Sequence, residues 1–149
     1  MFKLKIIKSI EKREINFLYK LRNKNYVRNN SFEKKKISFK KHIEWSKKFE
    51  TKNNKLFLIQ KSNDYIGYIR MEYKNKILET SWALLSKFKG QGIMTSALKK
   101  ATSKKYGTNN YRAFILNDNL PSIQIAKKCN FEKIRVNKNF KVYKKIVKN

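Results

Sequence analysis

The chain has 149 residues, of which 38 are Lys or Arg and 10 are Asp or Glu, so its net charge is +28. This length fits one domain, and a hydrophobic fraction of 40% excludes a disordered basic tail. The single cysteine, Cys129, and the single histidine, His42, exclude an internal disulfide and a zinc cluster of Cys and His ligands.

The positive charge has two interpretations. Arginine occurs six times, which leaves 38 minus 6, or 32, lysines among many Asn and Ile residues. Specific phosphate and base recognition favours arginine, so this excess predicts a solvated lysine surface that reflects a compositional bias. The alternative is a nucleic-acid-binding surface. In both cases a positive field favours the capture of polyanionic small molecules such as nucleotides.

The N-terminus and the apolar runs bear on location. Met1 to Ile10 alternates lysine with apolar residues instead of forming the apolar core of a signal peptide. No apolar run reaches the length of a membrane span. We therefore expect a cytoplasmic protein without a membrane span.

The first third of the chain predicts one strand and two helices. Phe2 to Ile7 has the alternation of a strand, and a helix capped by Ser9 follows it to about Arg22. The polar stretch 23–31 predicts a loop. A second helix is predicted over 38–49, where apolar residues recur at helical spacing.

The middle of the chain predicts three consecutive strands. Lys55 to Lys61 and Tyr65 to Tyr73 form a hairpin around Asn63 and Asp64, and Ile77 to Leu85 is the third strand. A short turn with two glycines, Lys89 to Thr95, follows, and Ser96 to Tyr106 is predicted to be helical.

The last third predicts a strand, a helix and two closing strands. Tyr111 to Leu116 is the strand, and the helix opens at Leu120-Pro121-Ser122 and continues to Cys129. The closing strands are Phe131 to Val136 and Phe140 to Ile146. The predicted order is strand, helix, helix, three strands, helix, strand, helix, two strands, which is a single mixed α/β domain over residues 1–149.

The glycine turn is the strongest functional signal. A strand that passes through a short glycine turn into a helix leaves unpaired N–H groups at the positive end of the helix dipole. This arrangement binds phosphate or pyrophosphate, and Gly90 and Gly92 permit a close approach of the backbone. The alternative is an ordinary connection between a strand and a helix.

Two motifs resemble the GCN5-related N-acetyltransferase (GNAT) superfamily, which transfers acetyl from acetyl-coenzyme A to amines. Its phosphate-binding signature is Gln/Arg-x-x-Gly-x-Gly/Ala, and here Lys89, Gly92 and Met94 stand at the first, fourth and sixth positions. Met94 departs from the small residue usual there. Downstream, an Asn-x-x-Ser helix with a Lys-x-Gly-Phe ending is matched by Asn119, Ser122 and Lys128-Cys129-Asn130-Phe131.

Within the superfamily, the chain resembles the PseH-like acetyltransferases, which acetylate a UDP-linked 4-amino-sugar on the way to pseudaminic acid. Short strings spread along the chain carry this resemblance: Leu21-Arg22-Asn23, Ile37-Ser38-Phe39 with His42, Ile66-Gly67, Glu79 and Lys89-Gly90. It implies an acetyl-CoA-dependent N-acetyltransferase that needs no metal and transfers acetyl directly in a ternary complex.

The resemblance implies a set of coenzyme-binding residues. The strand before the turn would pair through its main chain with the pantetheine arm, while the turn and the next helix would hold the pyrophosphate. The implied residues are Leu84, Leu85, Lys89, Gly90, Gln91, Gly92, Met94, Thr95, Asn119 and Ser122. Asn119 has capping of its helix as an alternative role.

Catalysis needs a deprotonated amine and a protonated leaving group. The resemblance places Glu79 as the general base, with a structural salt bridge as the alternative role, and His42 is a second candidate base. The family's tyrosine acid falls at Ala126, which has no acidic proton. Ser122, Cys129 or water could donate the proton instead, or the coenzyme could leave as a thiolate within a positive field.

The acceptor cleft is expected beside the two early helices and the end of the hairpin. Its candidate residues are Arg22, Asn23, His42, Trp45, Arg70 and Tyr73. Arg22 is the best candidate for a phosphate contact, and Trp45 either stacks on a uracil ring or belongs to the core. The favoured acceptor is a nucleotide-linked amino-sugar. The alternatives are a protein N-terminus or another small amine, or a basic nucleic-acid-binding module without turnover.

Overall fold

The computed structural model describes residues 1–107 and 109–148. In this part of the chain the strands are β1 (Phe2–Ile6), β2 (Lys55–Lys61), β3 (Asp64–Lys74), β4 (Ile77–Leu84), β5 (Asn110–Leu116), β6 (Glu132–Val136) and β7 (Phe140–Ile146). The α-helices are α1 (Lys12–Arg22), α2 (Asn25–Asn29), α3 (Phe39–Ser46), α4 (Ile93–Ala101) and α5 (Leu120–Lys128). Single 3-10 turns cover Lys47–Glu50, Ser86–Phe88 and Lys104–Tyr106.

The strands form one mixed sheet in the order β1-β2-β3-β4-β5-β7-β6. All neighbouring strands are antiparallel except β4 and β5, which are parallel. That parallel pairing consists of Leu78 opposite Tyr111 and Glu79 opposite Arg112. Beyond these residues β4 and β5 separate, so a gap opens in the middle of the sheet.

Helices cover both faces of the sheet. On one face, Leu98 of α4 and Ile123 of α5 share a buried cluster with Leu78 and Leu84 of β4. On the other face, Leu18 and Leu21 of α1 pack with Ala83. Because side chains alternate along a strand, the odd-numbered residues of β4 lie on the α1 to α3 face.

The predicted mixed α/β fold is confirmed, and so is the order of its strands and longer helices. The prediction of a loop over 23–31 is wrong at α2, a short helix that is anchored by the buried Val27. The Ser9 cap is also wrong: α1 begins at Lys12, where the Glu14 carboxylate accepts from the Glu11 N–H at 3.1 Å.

Two predicted helices end earlier than expected. The helix predicted over Ser96 to Tyr106 runs instead from Ile93 to Ala101, because the left-handed Gly92 starts it three residues sooner. It stops where the Thr102 hydroxyl donates to the Leu98 carbonyl at 2.8 Å. The helix predicted over 38–49 has the Ser38 cap but becomes a 3-10 turn after Ser46.

No helix in the described part of the chain combines the length and the apolar character that crossing a membrane requires.

Candidate active site

The gap between β4 and β5 exposes main-chain groups of β4. The Leu85 N–H donates to the Ile66 carbonyl of β3 at 2.8 Å, so Leu85 is engaged in the ladder. Main-chain groups alternate in direction along an antiparallel strand. Those of Leu84 and Trp82 therefore point away from β3 and into the gap, where an extended ligand can bind them as an added strand would.

The glycine turn lies at the end of this gap. Gly90 and Gly92 have φ of 78° and 76°, and a Cβ built on either would have no atom within 4 Å. The first bond of α4 runs from the Ser96 N–H to the Gly92 carbonyl at 3.0 Å. The preceding N–H groups have no intrahelical acceptor, so the turn offers donors and open space to an anion.

Side chains around the turn leave this space open. Met94 is 4% exposed and packs in the core beneath α4, so it contributes only its main chain at the turn. The Gln91 amide donates to the Lys87 carbonyl at 3.4 Å. The Lys89 ammonium lies 4.1 Å from the centroid of the Tyr26 ring, and partial desolvation lowers the pKa of Lys89.

A cleft of about 380 Å³ opens on the α1 to α3 face where the pairing of β4 with β5 ends. Its walls carry aromatic, acidic and basic side chains together: Phe32, Arg70, Glu72, Glu79, Thr80, Ser81 and Phe114. Sequence reasoning found Arg70 and Glu79 but missed the others. The cleft adjoins the gap between β4 and β5, since Ser81 of β4 lines the cleft and β4 borders the gap.

Two carboxylates form one wall of the cleft. Glu79 is bonded to the Lys74 ammonium and to the Arg112 guanidinium, each at 3.2 Å. Glu72 stands opposite Glu79 across β3 and β4 and lies 3.5 Å from the same Lys74 nitrogen. Glu79 thus forms the salt bridges that its alternative, structural role requires, and its side chain also lines the cleft.

Two arginines lie near each other on this face of the sheet: Arg70 lines the cleft, and Arg22 is the last residue of α1. Arg70 donates to the Ser81 hydroxyl at 2.5 Å, and its guanidinium lies 5.6 Å from the Trp45 ring centroid. Arg22 donates to the Glu33 carbonyl at 3.0 Å, while its Nη1 is buried without a partner among the described residues. Burial and the nearby Arg70 charge lower the pKa of Arg22.

Three phenylalanines from separate segments are in contact, and two of them, Phe32 and Phe114, line the cleft. The rings of Phe32 and Phe140 are 5.2 Å apart, and those of Phe140 and Phe114 are 5.9 Å apart. Phe32 keeps 57% of its surface exposed. No local pattern in the sequence signals this group, because only the fold brings the α2–α3 loop, β5 and β7 together.

Of the six predicted acceptor contacts, Arg70 lines the cleft and Arg22 and Trp45 lie near Arg70, whereas the other three lie elsewhere. His42 is 2% exposed, shares a hydrogen bond of 3.1 Å with the Ile15 carbonyl and stacks on Trp45. The Asn23 amide bonds both main-chain groups of Ile37 and so fixes the loop before α3. Tyr73 shares the sheet face of the buried Met71, opposite to that of Arg70 and Glu72. The structure therefore does not bring these three side chains into the cleft.

The residues of α5 also have structural partners. The Asn119 side chain accepts from the Ser122 N–H at 3.4 Å, which is the capping role. Ala126 and Cys129 are fully buried, and the Cys129 thiol donates to the Thr95 carbonyl at 3.3 Å. Burial raises the pKa of that thiol. These contacts leave Cys129 poorly suited to protonate a leaving group.

Comparison with known families decides the class. A family model described as an acetyltransferase (GNAT) domain matches residues 6–132. The chain belongs to the GNAT family. The predicted resemblance is confirmed, and the protein is an acetyl-CoA-dependent N-acetyltransferase. No curated protein matches the chain significantly.

Solved structures share the fold of this GNAT chain. A spermidine N-acetyltransferase from Vibrio cholerae, in complex with CoA and spermine, has a TM-score of 0.78 at 15% identity. The match covers 97% of this chain and 95% of the Vibrio cholerae chain. PseH from Campylobacter jejuni, in complex with acetyl coenzyme A, has a TM-score of 0.69 at 21% identity, with coverage of 98% and 99%. RimL, a ribosomal L7/L12 alpha-N-protein acetyltransferase in complex with coenzyme A, has a TM-score of 0.79 at 17% identity, with coverage of 97% and 94%.

No group of three or more His, Cys, Asp or Glu side chains that could hold a metal ion occurs among residues 1–107 and 109–148.

Proposed function

We propose that this GNAT enzyme acetylates the primary amine of a nucleotide-linked 4-amino-sugar, with UDP as the nucleotide. The observation that carries the proposal is the dipolar cleft, which is lined by Arg70 and by the carboxylates of Glu72 and Glu79 and has Arg22 close to Arg70. An acceptor that fits it has an anionic group and an amine on the same molecule. A nucleotide-linked amino-sugar has both.

The residues of the turn fit the coenzyme. Acetyl-CoA supplies an acetyl group activated as a thioester. The N–H groups from Gly90 to Thr95 would hold its pyrophosphate, since they surround open space at the positive end of α4. Leu84 would bind the pantetheine arm through its main-chain N–H, since its carbonyl accepts from the Tyr26 hydroxyl. Leu85 would contribute packing alone, because its N–H is bonded to β3.

We assign the removal of the amine proton to Glu79, directly or through one water. An ammonium has no lone pair, so the amine must be deprotonated before it attacks. Arg112 holds the Glu79 carboxylate in place at the cleft wall, and the exposed Lys74 ammonium pairs with it as well. The positive charge around the turn would stabilise the thiolate that leaves, and Ser122 remains a candidate proton donor.

We assign the phosphate of the acceptor to Arg22. Its Nη1 is buried without a hydrogen-bond partner in the described part of the chain, and a buried unpaired donor costs free energy that a ligand can recover. Arg70 beside it adds a like charge, so the pair favours an anion between them. The Trp45 indole is half-buried beneath the Arg70 guanidinium.

The distribution of lysine supports an enzyme over a nucleic-acid-binding module. Exposed lysines occur on α3, which covers one face of the sheet, and on α4 and α5, which cover the other. Charge on both faces is typical of a solvated surface, whereas a nucleic-acid site concentrates it on one face. The cytoplasmic location remains part of this proposal.

Thiol-release assays with acetyl-CoA test the acceptor. The substrates are a UDP-4-amino-sugar, spermidine and a peptide with a free N-terminus. We expect turnover with the sugar, and Arg22→Gln should raise its KM about 10-fold to 100-fold because a charged hydrogen bond is lost. Arg135→Gln, on the exposed edge strand β6, is the matched control.

The outcomes separate the parts of the proposal. Turnover of spermidine or the peptide with none of the sugar would overturn the acceptor. An unchanged KM in Arg22→Gln would overturn the phosphate contact. Absence of coenzyme binding at millimolar concentration would overturn the placement of acetyl-CoA at the turn.

A further inference from the structure

Tyr26 joins α2 to the end of β4, where the chain leaves the sheet. Its hydroxyl donates to the Leu84 carbonyl at 3.3 Å and accepts from the Ser86 N–H at 3.1 Å. A hydroxyl has one proton and two lone pairs, so both bonds can form at once. They link residues that lie 58 and 60 positions apart in the chain.

The same tyrosine holds a cation beside the glycine turn. The distance of 4.1 Å from the Lys89 nitrogen to the Tyr26 ring centroid is the shortest between a cation and a ring in the described part of the chain. Lys89 directly precedes Gly90, where the left-handed backbone begins. A cation over a ring face is attracted by the ring quadrupole, so the ammonium is restrained instead of moving freely in solvent.

The hydrogen bonds of Tyr26 and its contact with Lys89 both act on groups that would bind the coenzyme. Leu84 has main-chain groups that face the gap, and Ser86 starts the 3-10 turn that leads to Lys89. A displacement of this segment would move the Leu84 N–H and the turn relative to each other. Binding is strongest when such groups are already in place, because less ordering is required on association.

We propose that Tyr26 is a positioning residue for the coenzyme, which fixes the main chain from Leu84 to Ser86 and holds the Lys89 ammonium beside the pyrophosphate site. This inference rests on the proposed placement of acetyl-CoA at the glycine turn. It concerns the coenzyme alone and does not depend on the acceptor. Its failure is therefore distinguishable from that of the proposed function.

Calorimetric titration of the full chain with coenzyme A tests the proposal in variants of Tyr26 and Lys89. Tyr26→Phe removes the hydrogen bonds but keeps the ring, and it should raise Kd about threefold. Tyr26→Leu removes the hydrogen bonds and the ring, and it should raise Kd about tenfold. In a Lys89→Gln background, Tyr26→Leu should have only the effect of Tyr26→Phe, because the cation is absent.

Salt dependence separates positioning from general stabilisation. Phosphate binding by Lys89 weakens as salt is raised, so Tyr26→Leu should reduce the salt dependence of Kd as Lys89→Gln does. Tyr73→Leu is the control for loss of a tyrosine. Lys100→Gln is the control for a lysine over a ring, since its nitrogen lies 4.8 Å from the Phe2 centroid. Neither control should change Kd.

Binding of coenzyme A by the wild type would support the coenzyme site, and two results in the variants would then overturn the role of Tyr26. One is a Kd in Tyr26→Leu that equals or falls below the wild-type value. Another is a raised Kd whose salt dependence is unchanged. If Tyr26→Leu does not fold, the two single variants Tyr26→Phe and Lys89→Gln still test the inference. A wild-type Kd for coenzyme A in both of them would contradict it.

Discussion

Glu72 and Glu79 stand opposite each other across β3 and β4, and the Lys74 ammonium lies 3.5 Å and 3.2 Å from their respective carboxylates. Two like charges in direct cross-strand positions repel each other unless a cation stands between them. Lys74 is 54% exposed, so its ion pairs are screened by solvent and contribute little stability. An acceptor ammonium can therefore displace it at small cost.

Glu79→Gln should lower kcat about 100-fold, because the amide keeps the shape of the side chain but cannot accept the proton. Steady-state assays at saturating acetyl-CoA measure this effect. Glu72→Gln should raise the acceptor KM and change kcat little, and Glu132→Gln, on exposed β6, should do neither. Equal kcat in Glu79→Gln and the wild type would show that the carboxylate is only structural.

His42→Phe should leave kcat/KM unchanged, since the buried ring lies between α1 and α3, where it bonds Ile15 and stacks on Trp45. Phenylalanine preserves the stacking but loses the hydrogen bond, so we expect a loss of about 1 kcal/mol in the free energy of unfolding. Urea unfolding at neutral pH measures it. A large loss of activity in the folded variant would show that His42 takes part in catalysis.

The stability of the wild type should fall as the pH is lowered through about 6.5. Burial lowers the pKa of His42 in the folded state, so below that pH the unfolded chain binds more protons than the folded one. The loss levels off below the lowered pKa. Thermal unfolding of the wild type and of His42→Phe across this range checks the prediction, because the variant lacks this contribution while all other titrating groups are shared.

Cys129 should be inert to thiol reagents in the folded protein. It is fully buried, it donates to the Thr95 carbonyl, and burial raises the pKa of its thiol. A chromogenic disulfide reagent should react only when urea unfolds the chain. Cys129→Ala should lower the free energy of unfolding by about 1 kcal/mol, because buried atoms are lost. The variant should keep its acetyltransferase activity. Rapid labelling under native conditions would contradict this placement.

The sequence predicted the elements better than the site. Strand alternation and turn residues placed β2 at Lys55–Lys61, as observed, because these signals are local. The α2 helix escaped prediction since its five residues have only Val27 as a buried anchor. Helical spacing likewise could not tell that His42 is buried, because burial depends on the packing of α1 against α3.

The cleft depends on contacts that no local pattern contains. Glu79 came from the family resemblance, whereas Glu72 enters the site through strand register and Phe32 through the meeting of distant segments. Asn130 shows the opposite case. It stands where the family has glycine, and its φ of 66° is left-handed, so the motif did indicate the backbone conformation.

Gly92→Ala and Gly92→Asn separate backbone strain from loss of space at the turn. A Cβ at Gly92 has no atom within 4 Å, so added bulk meets no protein atom, but φ of 76° costs an alanine about 1–2 kcal/mol. Asparagine tolerates this region better, as Asn130 does in the same chain. Chemical unfolding should therefore show a smaller loss for Gly92→Asn than for Gly92→Ala.

Coenzyme binding should follow a different order in the same two variants. If the pyrophosphate occupies the open space beside Gly92, any side chain there intrudes on it, and asparagine intrudes more than alanine. Calorimetric titration with coenzyme A should then give a higher Kd for Gly92→Asn than for Gly92→Ala, the reverse of their order in stability. A Kd that simply follows stability would mean that the open space is not where the coenzyme binds.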